Sequence, residues 1–216
     1  MGTSERIERE RHAKRALIMD AARELFLERG YDAVTLRQIA ERIEHSTTAI
    51  YVHFADKFDL FQQLVHDDFR RFDDALTRHA GIADPVERLR RIGRAYVEFA
   101  LTMPRSYEMM FMRPQLQAQF DKAPPSTSGA EPGKAAYQTL VATCVDLVEQ
   151  GRLRPELIDP LAVAQAVWSA VHGLVTLRLR CEHEPELQWR SREDVLAVLM
   201  TMICDGILRP TAPAVG

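Results

Sequence analysis

Apolar residues recur every three or four positions along most of the chain, which is the spacing of amphipathic helices. The first apolar stripe consists of two rows with four-residue spacing: Leu17, Ala21, Leu25 and Ile18, Ala22, Phe26. Gly30 follows this stripe, and a glycine there can end a helix in the left-handed conformation. The sequence shows neither the alternation of a β-strand nor an internal repeat, so the predicted fold class is all-α, with about nine helices.

Capping residues mark the start of the next three predicted helices. Thr35 and Gln38 have the spacing of a capping box, which satisfies backbone N–H groups in the first turn of a helix. Ser46 is the predicted cap of a third, short helix, and Asp56 that of a fourth helix over residues 57–78. The inner faces of the second and third helices are apolar: Ile39, Ala40, Ile43, Ile50, Phe54.

The second half of the chain has the same helical pattern. Asp84 and Pro85 predict a helix to Thr102, and Pro104 opens one predicted to run unbroken to Phe120. Residues 121–133 are rich in proline, serine and glycine and predict an exposed, mobile loop. The remaining predicted helices cover residues 134–150, residues 160–180, and a last stretch that Ser191 caps and that ends near Arg209.

Residues 35–54 have the organisation of a helix-turn-helix. Two short helices are joined by Glu44 and His45, and such a unit presents the outer face of its second helix to the major groove of DNA. The outward positions carry polar or small side chains: Ser46, Thr47, Thr48, Tyr51, Val52, His53. Hydroxyl groups in this position can reach phosphates or base edges. Spacing alone also permits an ordinary helical packing motif with a polar outer face.

The charge of the chain neither indicates nor excludes a DNA-binding protein. The net charge is −3, but basic residues are concentrated in the first 15 positions: Arg6, Arg9, Arg11, Lys14, Arg15. Three glutamates lie in the same arm, and further acidic residues follow later in the chain. A basic arm on an acidic body is compatible with contact to DNA and does not prove it.

Residues 17–61 resemble the DNA-binding domain of the TetR family of transcriptional regulators. The matching stretches are residues 21–31 (AARELFLERGY), 35–40 (TLRQIA), 49–54 (AIYVHF) and 59–61 (DLF), with Ser46 and Lys57 between them. The resemblance implies a dimeric protein that binds operator DNA and a small-molecule effector. We therefore expect a DNA-binding domain over residues 1–56, including the basic arm, and a helical ligand-binding and dimerisation domain over residues 57–216.

The resemblance also assigns the predicted DNA contacts. They are Thr35, Arg37, Ser46, Thr47, Thr48, Ala49, Tyr51, His53, Lys57. By the same resemblance, the two residues at the start of the second helix face the DNA backbone, and the threonines and the alanine of the third helix face bases. The tyrosine, the histidine and the lysine face phosphates, the lysine together with the positive end of the fourth helix.

Two positions depart from the family pattern. Glu44 replaces the glycine that family members usually have in the turn, and His45 occupies a usually aliphatic position. A residue other than glycine in a left-handed turn costs roughly 1 kcal/mol. The third helix has no arginine to bind guanine, so the sequence does not predict which operator is bound.

Two helices near the carboxyl end are apolar on more than one face. They cover residues 161–180 and the stretch after Ser191, and a second copy of the chain could cover the outer faces by forming a four-helix bundle. A fully buried core within one chain is the alternative. The sequence Trp-Ser-Ala-Val-His-Gly-Leu over residues 168–174 resembles the Trp-His-Gly motif of one C-terminal subclass of TetR-type regulators, as do residues 107–111.

Aromatic, methionine and cysteine side chains suggest an apolar pocket in the same half. The predicted ligand-binding residues are Tyr96, Phe99, Met103, Tyr107, Met110, Phe111, Cys144, Trp168, His172. Such a lining favours a hydrophobic or aromatic effector. The alternative for each residue is a place in the hydrophobic core. For His172 the alternative is a core histidine that is hydrogen-bonded to a carbonyl.

Other classes of function lack support in the sequence. It contains no phosphate-binding glycine loop, no paired metal-ligand motif and no nucleophile context, so we expect no catalytic residue, no metal and no cofactor. No apolar run reaches the ~18 residues of a membrane span, and the first 15 residues do not resemble a secretion signal, so a cytoplasmic location is expected. The resemblance to the family favours a repressor. Binding of the effector would release this repressor from a palindromic operator.

Overall fold

The computed structural model describes residues 3–120 and 133–210, most of which form α-helices. The helices are α1 Thr3–Arg29, α2 Leu36–Arg42, α3 Thr47–Tyr51, α4 Lys57–Thr77, α5 Pro85–Thr102, α6 Pro104–Tyr107, α7 Pro114–Phe120, α8 Lys134–Glu149, α9 Pro160–Cys181 and α10 Arg192–Ile207. A π-helical turn covers Glu108–Met112, and a 3₁₀ turn covers Pro185–Leu187. No strand occurs in the described residues, and the predicted all-α class is confirmed.

The predicted helix starts are confirmed by their capping bonds. The Thr35 hydroxyl accepts from the Gln38 backbone N–H at 3.3 Å, and the Gln38 side chain accepts from the Thr35 N–H at 2.8 Å. Ser46 caps α3 and Asp84 caps α5 in the same way, through side-chain oxygens that accept backbone N–H groups. These local bonds explain why short sequence signals located the helix boundaries.

The prediction of one unbroken helix from Pro104 to Phe120 is wrong. The chain forms α6, then the π-helical turn, and then an extended residue, Arg113, with φ −124° and ψ 86° before α7 begins. Pro114 causes the break, because proline lacks the N–H that would continue the helix and disfavours helical backbone at the residue before it. Residues 121–132 of the predicted loop lie outside the described residues.

The chain packs into two compact units. The first comprises residues 1–69 and 105–129, and the second comprises residues 70–104 and 130–216. In the first unit, α1 to α4 enclose a core in which the Phe26 and Phe61 rings meet edge to face, with centroids 5.6 Å apart. The predicted domain boundary after residue 56 remains a prediction. α4 begins at Lys57 and continues unbroken through Thr77.

The second unit is built from α5, α8, α9 and α10. Its main cluster is aliphatic: Leu89, Leu140, Leu147, Leu153, Val163, Ala164, Val167, with Cys144 among them. Gly93 lets α10 approach α5 closely, because a Cβ atom at Gly93 would lie 2.8 Å from the sulfur of Met200. A side chain at position 93 would therefore displace the flexible end of the Met200 side chain, which fills this space.

Candidate DNA interface and ligand site

A short left-handed turn joins α2 to α3. Glu44 has φ 57°, which is the left-handed conformation that the family's usual glycine adopts without strain. The His45 backbone N–H then donates to the Ala40 carbonyl at 2.9 Å and closes the turn. Glu44 thus departs from the family pattern as expected: its backbone is strained, and its exposed carboxylate lies beside α3.

The outer face of α3 is accessible, while its inner face is buried. Ile50 is fully buried, whereas Thr48 is exposed and Tyr51 is 57% exposed. The other predicted base-facing residues, Thr47 and Ala49, are half-buried on the same short helix. The structure therefore brings these predicted contacts together on one surface.

The residues at the start of α2 are also exposed. The Thr35 hydroxyl is engaged in the helix cap, and the Arg37 side chain pairs with Glu41 at 2.8 Å while remaining 83% exposed. Exposed pairs of this kind contribute little stability, so Arg37 can exchange its partner for a phosphate at small cost.

Lys57 makes intramolecular contacts. Its ammonium donates to the carbonyls of Tyr31 at 3.0 Å and Val34 at 2.9 Å, and it lies 4.2 Å from the centre of the Tyr31 ring. In this structure Lys57 holds the loop that precedes α2. Sequence reasoning missed this role, because carbonyl partners more than 20 residues away leave no local pattern.

His53 lies half-buried at the carboxyl end of α3. Partial burial lowers the pKa of His53, and the positive charges of Arg11, Lys14 and Arg15 lower it further. The imidazole is therefore neutral at pH 7, and it can donate one hydrogen bond without carrying a charge of its own.

Two sets of ion pairs, which the sequence did not predict, lie behind this surface. Glu24 on α1 pairs with Arg42 at the end of α2 and with Arg105 on α6. Asp68 on α4 is fully buried and accepts two hydrogen bonds from Arg23, at 2.8 and 3.2 Å. The only sequence signal was an acidic residue among the apolar positions of α4.

Three predicted ligand-binding residues belong to the first unit. Tyr107 and Met110 are buried, and Phe111 is half-buried with its ring centroid 5.0 Å from that of Tyr107. The π-helical turn carries Met110 and Phe111, and such turns occur frequently at functional sites. Phe69 also contacts Phe111, with ring centroids 5.7 Å apart.

The remaining six belong to the second unit, where Tyr96 connects two of them. The Trp168 indole N–H donates to the Tyr96 hydroxyl at 3.2 Å, and that hydroxyl lies 3.0 Å from Nδ1 of His172. Since the hydroxyl accepts from the indole, its own proton is available to Nδ1. Burial lowers the pKa of His172, which agrees with a neutral ring in this arrangement.

Packing around Tyr96 is aromatic and includes two residues that sequence reasoning missed. Phe72 meets the rings of Tyr96 and Phe99 edge to face, with centroids 5.4 and 5.2 Å apart, and Tyr137 lies 5.7 Å from Trp168. All three contacts cross between helices and leave no sequence pattern.

The last two predicted ligand residues differ in burial. Met103 is half-buried at the end of α5, whereas Cys144 is fully enclosed by the aliphatic cluster. Burial raises the pKa of the Cys144 thiol to about 12, so this side chain is a packing residue at neutral pH.

Comparison with known protein families identifies the family to which this chain belongs. Residues 18–64 match the family described as bacterial regulatory proteins of the tetR family, and residues 89–203, more than half of the chain, match a tetracyclin repressor-like C-terminal domain. The chain belongs to the TetR family. The members of this TetR family are DNA-binding regulators that typically act as dimers with small-molecule effectors.

Curated relatives match part of this TetR-family chain. The HTH-type transcriptional repressor Rv1474c of Mycobacterium tuberculosis is 41% identical over 66 residues, which are 31% of this chain and 35% of the relative. The repressor AcnR of Corynebacterium glutamicum is 31% identical over 107 residues, half of each chain. The activator FasR of Mycolicibacterium smegmatis is 30% identical over 118 residues, 50% of this chain and 52% of its own. The chain thus spans between a third and a half of these relatives.

Solved structures extend the likeness to nearly the whole TetR-family fold. The fatty acid degradation regulator FadR of Bacillus halodurans superposes with a TM-score of 0.66 at 17% identity, covering 88% of this chain and 94% of its own. The ketosteroid regulator KstR2 of Mycobacterium tuberculosis gives 0.65 at 20% identity, covering 91% and 95%. At these identities the likeness establishes the fold alone.

Proposed function

We propose that the chain is a transcriptional repressor that binds palindromic operator DNA as a homodimer and is released by an apolar or aromatic effector. The observation that carries this proposal is the exposed outer face of α3 next to a closed left-handed turn. That geometry suits insertion of a short helix into a major groove. Several curated relatives are named repressors, and FasR is named an activator, so the direction of regulation is part of the proposal.

The dimer proposal is supported by apolar side chains on α9 and α10. Leu161 and Leu177 on α9 are 50% and 55% exposed, and Val198 and Met202 on α10 are 58% and 67% exposed. Gly173 has open space where a side chain would lie, so another helix could approach there. By length and composition α9 is also apolar enough to cross a membrane, a property that it shares with core helices of soluble proteins. A second copy of the chain would cover these faces in a two-fold bundle.

The roles within the DNA interface can be separated by two substitutions, Tyr51→Phe and Thr48→Ala. Duplexes bound by the wild type are first selected from a random library, and affinities are then measured on the selected site and on single-base variants. Tyr51→Phe removes a phosphate donor and should weaken all duplexes about equally, by about 1 kcal/mol. Thr48→Ala should change the ranking of the duplexes, because its hydroxyl faces base edges.

Selection of no duplex by the wild type would contradict the proposed function itself. If both substitutions weakened matched and mismatched sites equally, the chain could still bind DNA, but the division into phosphate and base contacts would be wrong. Lys57 is proposed to position the loop before α2, and Arg37, Ser46 and His53 to lie at the phosphate backbone.

The effector is proposed to bind among the helices that follow α4. Tyr96, Trp168 and His172 provide a hydroxyl, an indole and a neutral imidazole next to aromatic rings, which suits an apolar molecule with one polar group. The Trp-His-Gly subclass is part of this proposal. In the first unit, the bridge from Arg105 through Glu24 to Arg42 links the helix next to Tyr107 with the helix-turn-helix. A movement of α6 would therefore change the ion pairs that Glu24 makes with Arg105 and Arg42.

Coupling between the two sites predicts a reciprocal change in affinity. Compounds that raise the melting temperature, found among aromatic and long-chain aliphatic molecules, are titrated by calorimetry into the protein with and without the selected duplex. Ligand affinity should be lower in the presence of DNA by about 5- to 150-fold, because linkage makes the effect mutual. Equal affinities would mean that the ligand site does not regulate DNA binding. Trp168→Ala should weaken the ligand more than the duplex, and the reverse would place Trp168 in the dimer interface.

The proposal includes no catalysis and no cofactor, and it places the protein in the cytoplasm. A regulator that binds chromosomal DNA must share the compartment of that DNA.

A further inference from the structure

The amino-terminal turns of α1 extend beyond the part of the helix that packs against the core. α1 runs from Thr3 to Arg29, residues 5–14 are all exposed, and Ile18 is the first residue that is buried. Ten exposed helical residues correspond to about 15 Å of helix that packing does not require. The segment that appeared in the sequence as a basic arm is thus a helical projection of α1.

Arg15 fixes where this projection leaves the core. Its guanidinium lies 5.6 Å from the centre of the Phe54 ring and donates to Asp67 at 2.9 Å and to Gln63 at 2.8 Å. Phe54 directly follows His53, the residue expected to face a phosphate. α1 therefore passes the carboxyl end of α3 at Arg15, and the turns before Arg15 continue beyond that point.

Two cations on the projection point toward the same end of α3. Arg11 precedes Arg15 by one helical turn and shares its side of the helix, and Lys14 is the neighbouring residue. Both lie close enough to His53 to lower its pKa, after the larger effect of burial. Within residues 3–120 and 133–210, neither has an ion-pair partner, whereas Arg6 pairs with Glu10 at 3.7 Å.

We propose that the projecting turns of α1 form a second DNA contact, in which Arg11 and Lys14 bind backbone phosphates next to the contact made by α3. This inference rests on the proposed DNA binding. Two cations without ion-pair partners, on a helix beside α3, present positive charge to the phosphates from a backbone that is already helical. A flexible arm would lose conformational entropy on making the same contact.

The chain provides a matched control for the test. Arg11→Gln/Lys14→Gln removes two charges from the side that faces His53, and Arg6→Gln/Arg9→Gln removes two charges from elsewhere on the same exposed turns. Glutamine keeps a high helix propensity, and all four residues are exposed, so both variants should fold with wild-type helicity by circular dichroism. Because both lose the same net charge, a difference between them reports position.

The measurement is fluorescence anisotropy with the duplex that the wild type selects from a random library, repeated over a range of salt concentrations. Arg11→Gln/Lys14→Gln should lose at least about tenfold in affinity near 0.1 M salt, and the slope of log affinity against log salt should become shallower by about 2 to 4 for a dimer. The control should lose less than about threefold. Phosphate ethylation should then interfere with the wild type and the control at one or two positions per half-site where it no longer affects the Arg11/Lys14 variant.

The outcomes separate this inference from the proposed function. If the wild type binds its duplex and both variants match it, or if both variants weaken equally with unchanged ethylation patterns, the α1 contact is refuted and operator binding by α3 stands. If the wild type selects no duplex, the proposed function fails together with this inference.

Discussion

Val198→Glu/Met202→Glu is expected to convert the protein to a monomer and to lower its operator affinity by more than about 100-fold. Both side chains project from one face of α10 and are more than half exposed in a single chain, so the substitution leaves the fold of the monomer intact. In a dimer, burying four unpaired carboxylates would cost several kcal/mol, far more than the apolar contacts that they replace. A monomer presents one α3 and loses the second half-site.

A comparison variant exists on the neighbouring face of the same helix, about 100° around its axis. Ala197 and Thr201 are exposed and, like the first pair, lie four residues apart, so Ala197→Glu/Thr201→Glu adds the same charge at the same spacing. Light scattering after size-exclusion chromatography gives the mass, and anisotropy gives the affinity for the selected duplex. A dimer from Val198→Glu/Met202→Glu would place the interface elsewhere, and monomers from both variants would show that the added charge acts without regard to its position on α10.

Asp68→Asn is expected to destabilise the protein by about 3 kcal/mol. Asp68 is fully buried and accepts from Arg23 at 2.8 and 3.2 Å and from the Ser106 hydroxyl at 3.0 Å. Removing its charge leaves the guanidinium of Arg23, itself 8% exposed, without its buried counterion. Urea denaturation followed by circular dichroism measures the change in the free energy of unfolding.

Asp20 gives the comparison, because it contacts the same arginine from the surface. Its side chain is 70% exposed and lies 2.6 Å from Arg23, so Asp20→Asn should cost less than about 1 kcal/mol. Replacing the buried pair together, as Arg23→Met/Asp68→Leu, should recover much of the stability that Asp68→Asn loses. Equal losses from Asp20→Asn and Asp68→Asn would show that burial of the pair does not govern its strength.

The helices were predictable from sequence where a local bond determines them. Thr35, Ser46 and Asp84 each cap a helix within three residues, so their identity alone located α2, α3 and α5. The π-helical turn was not predictable. The apolar residues Met109, Met110 and Phe111 fit an α-helix and a π-helix equally well. Pro114 was the one local sign that the helix would break.

The candidate sites divide in the same way. The outer face of α3 follows from the periodicity around Ile50, so Thr48 and Tyr51 could be named from sequence. The positions of Lys57 and Asp68 could not, since their partners are distant in the chain and meet them only after folding. The cluster of Tyr96, Trp168 and His172 was predictable only in part. The four-residue spacing placed Trp168 and His172 on one face of α9, but it did not reveal that both bind the Tyr96 hydroxyl.

Under the proposed function, the left-handed turn at Glu44 would let a single base change adjust operator affinity. The codons for glutamate and glycine differ by one base, so one point mutation would relax the backbone and remove the exposed carboxylate beside α3. A two-fold dimer carries the turn twice, and any electrostatic penalty at one half-site is therefore counted twice in the free energy of binding.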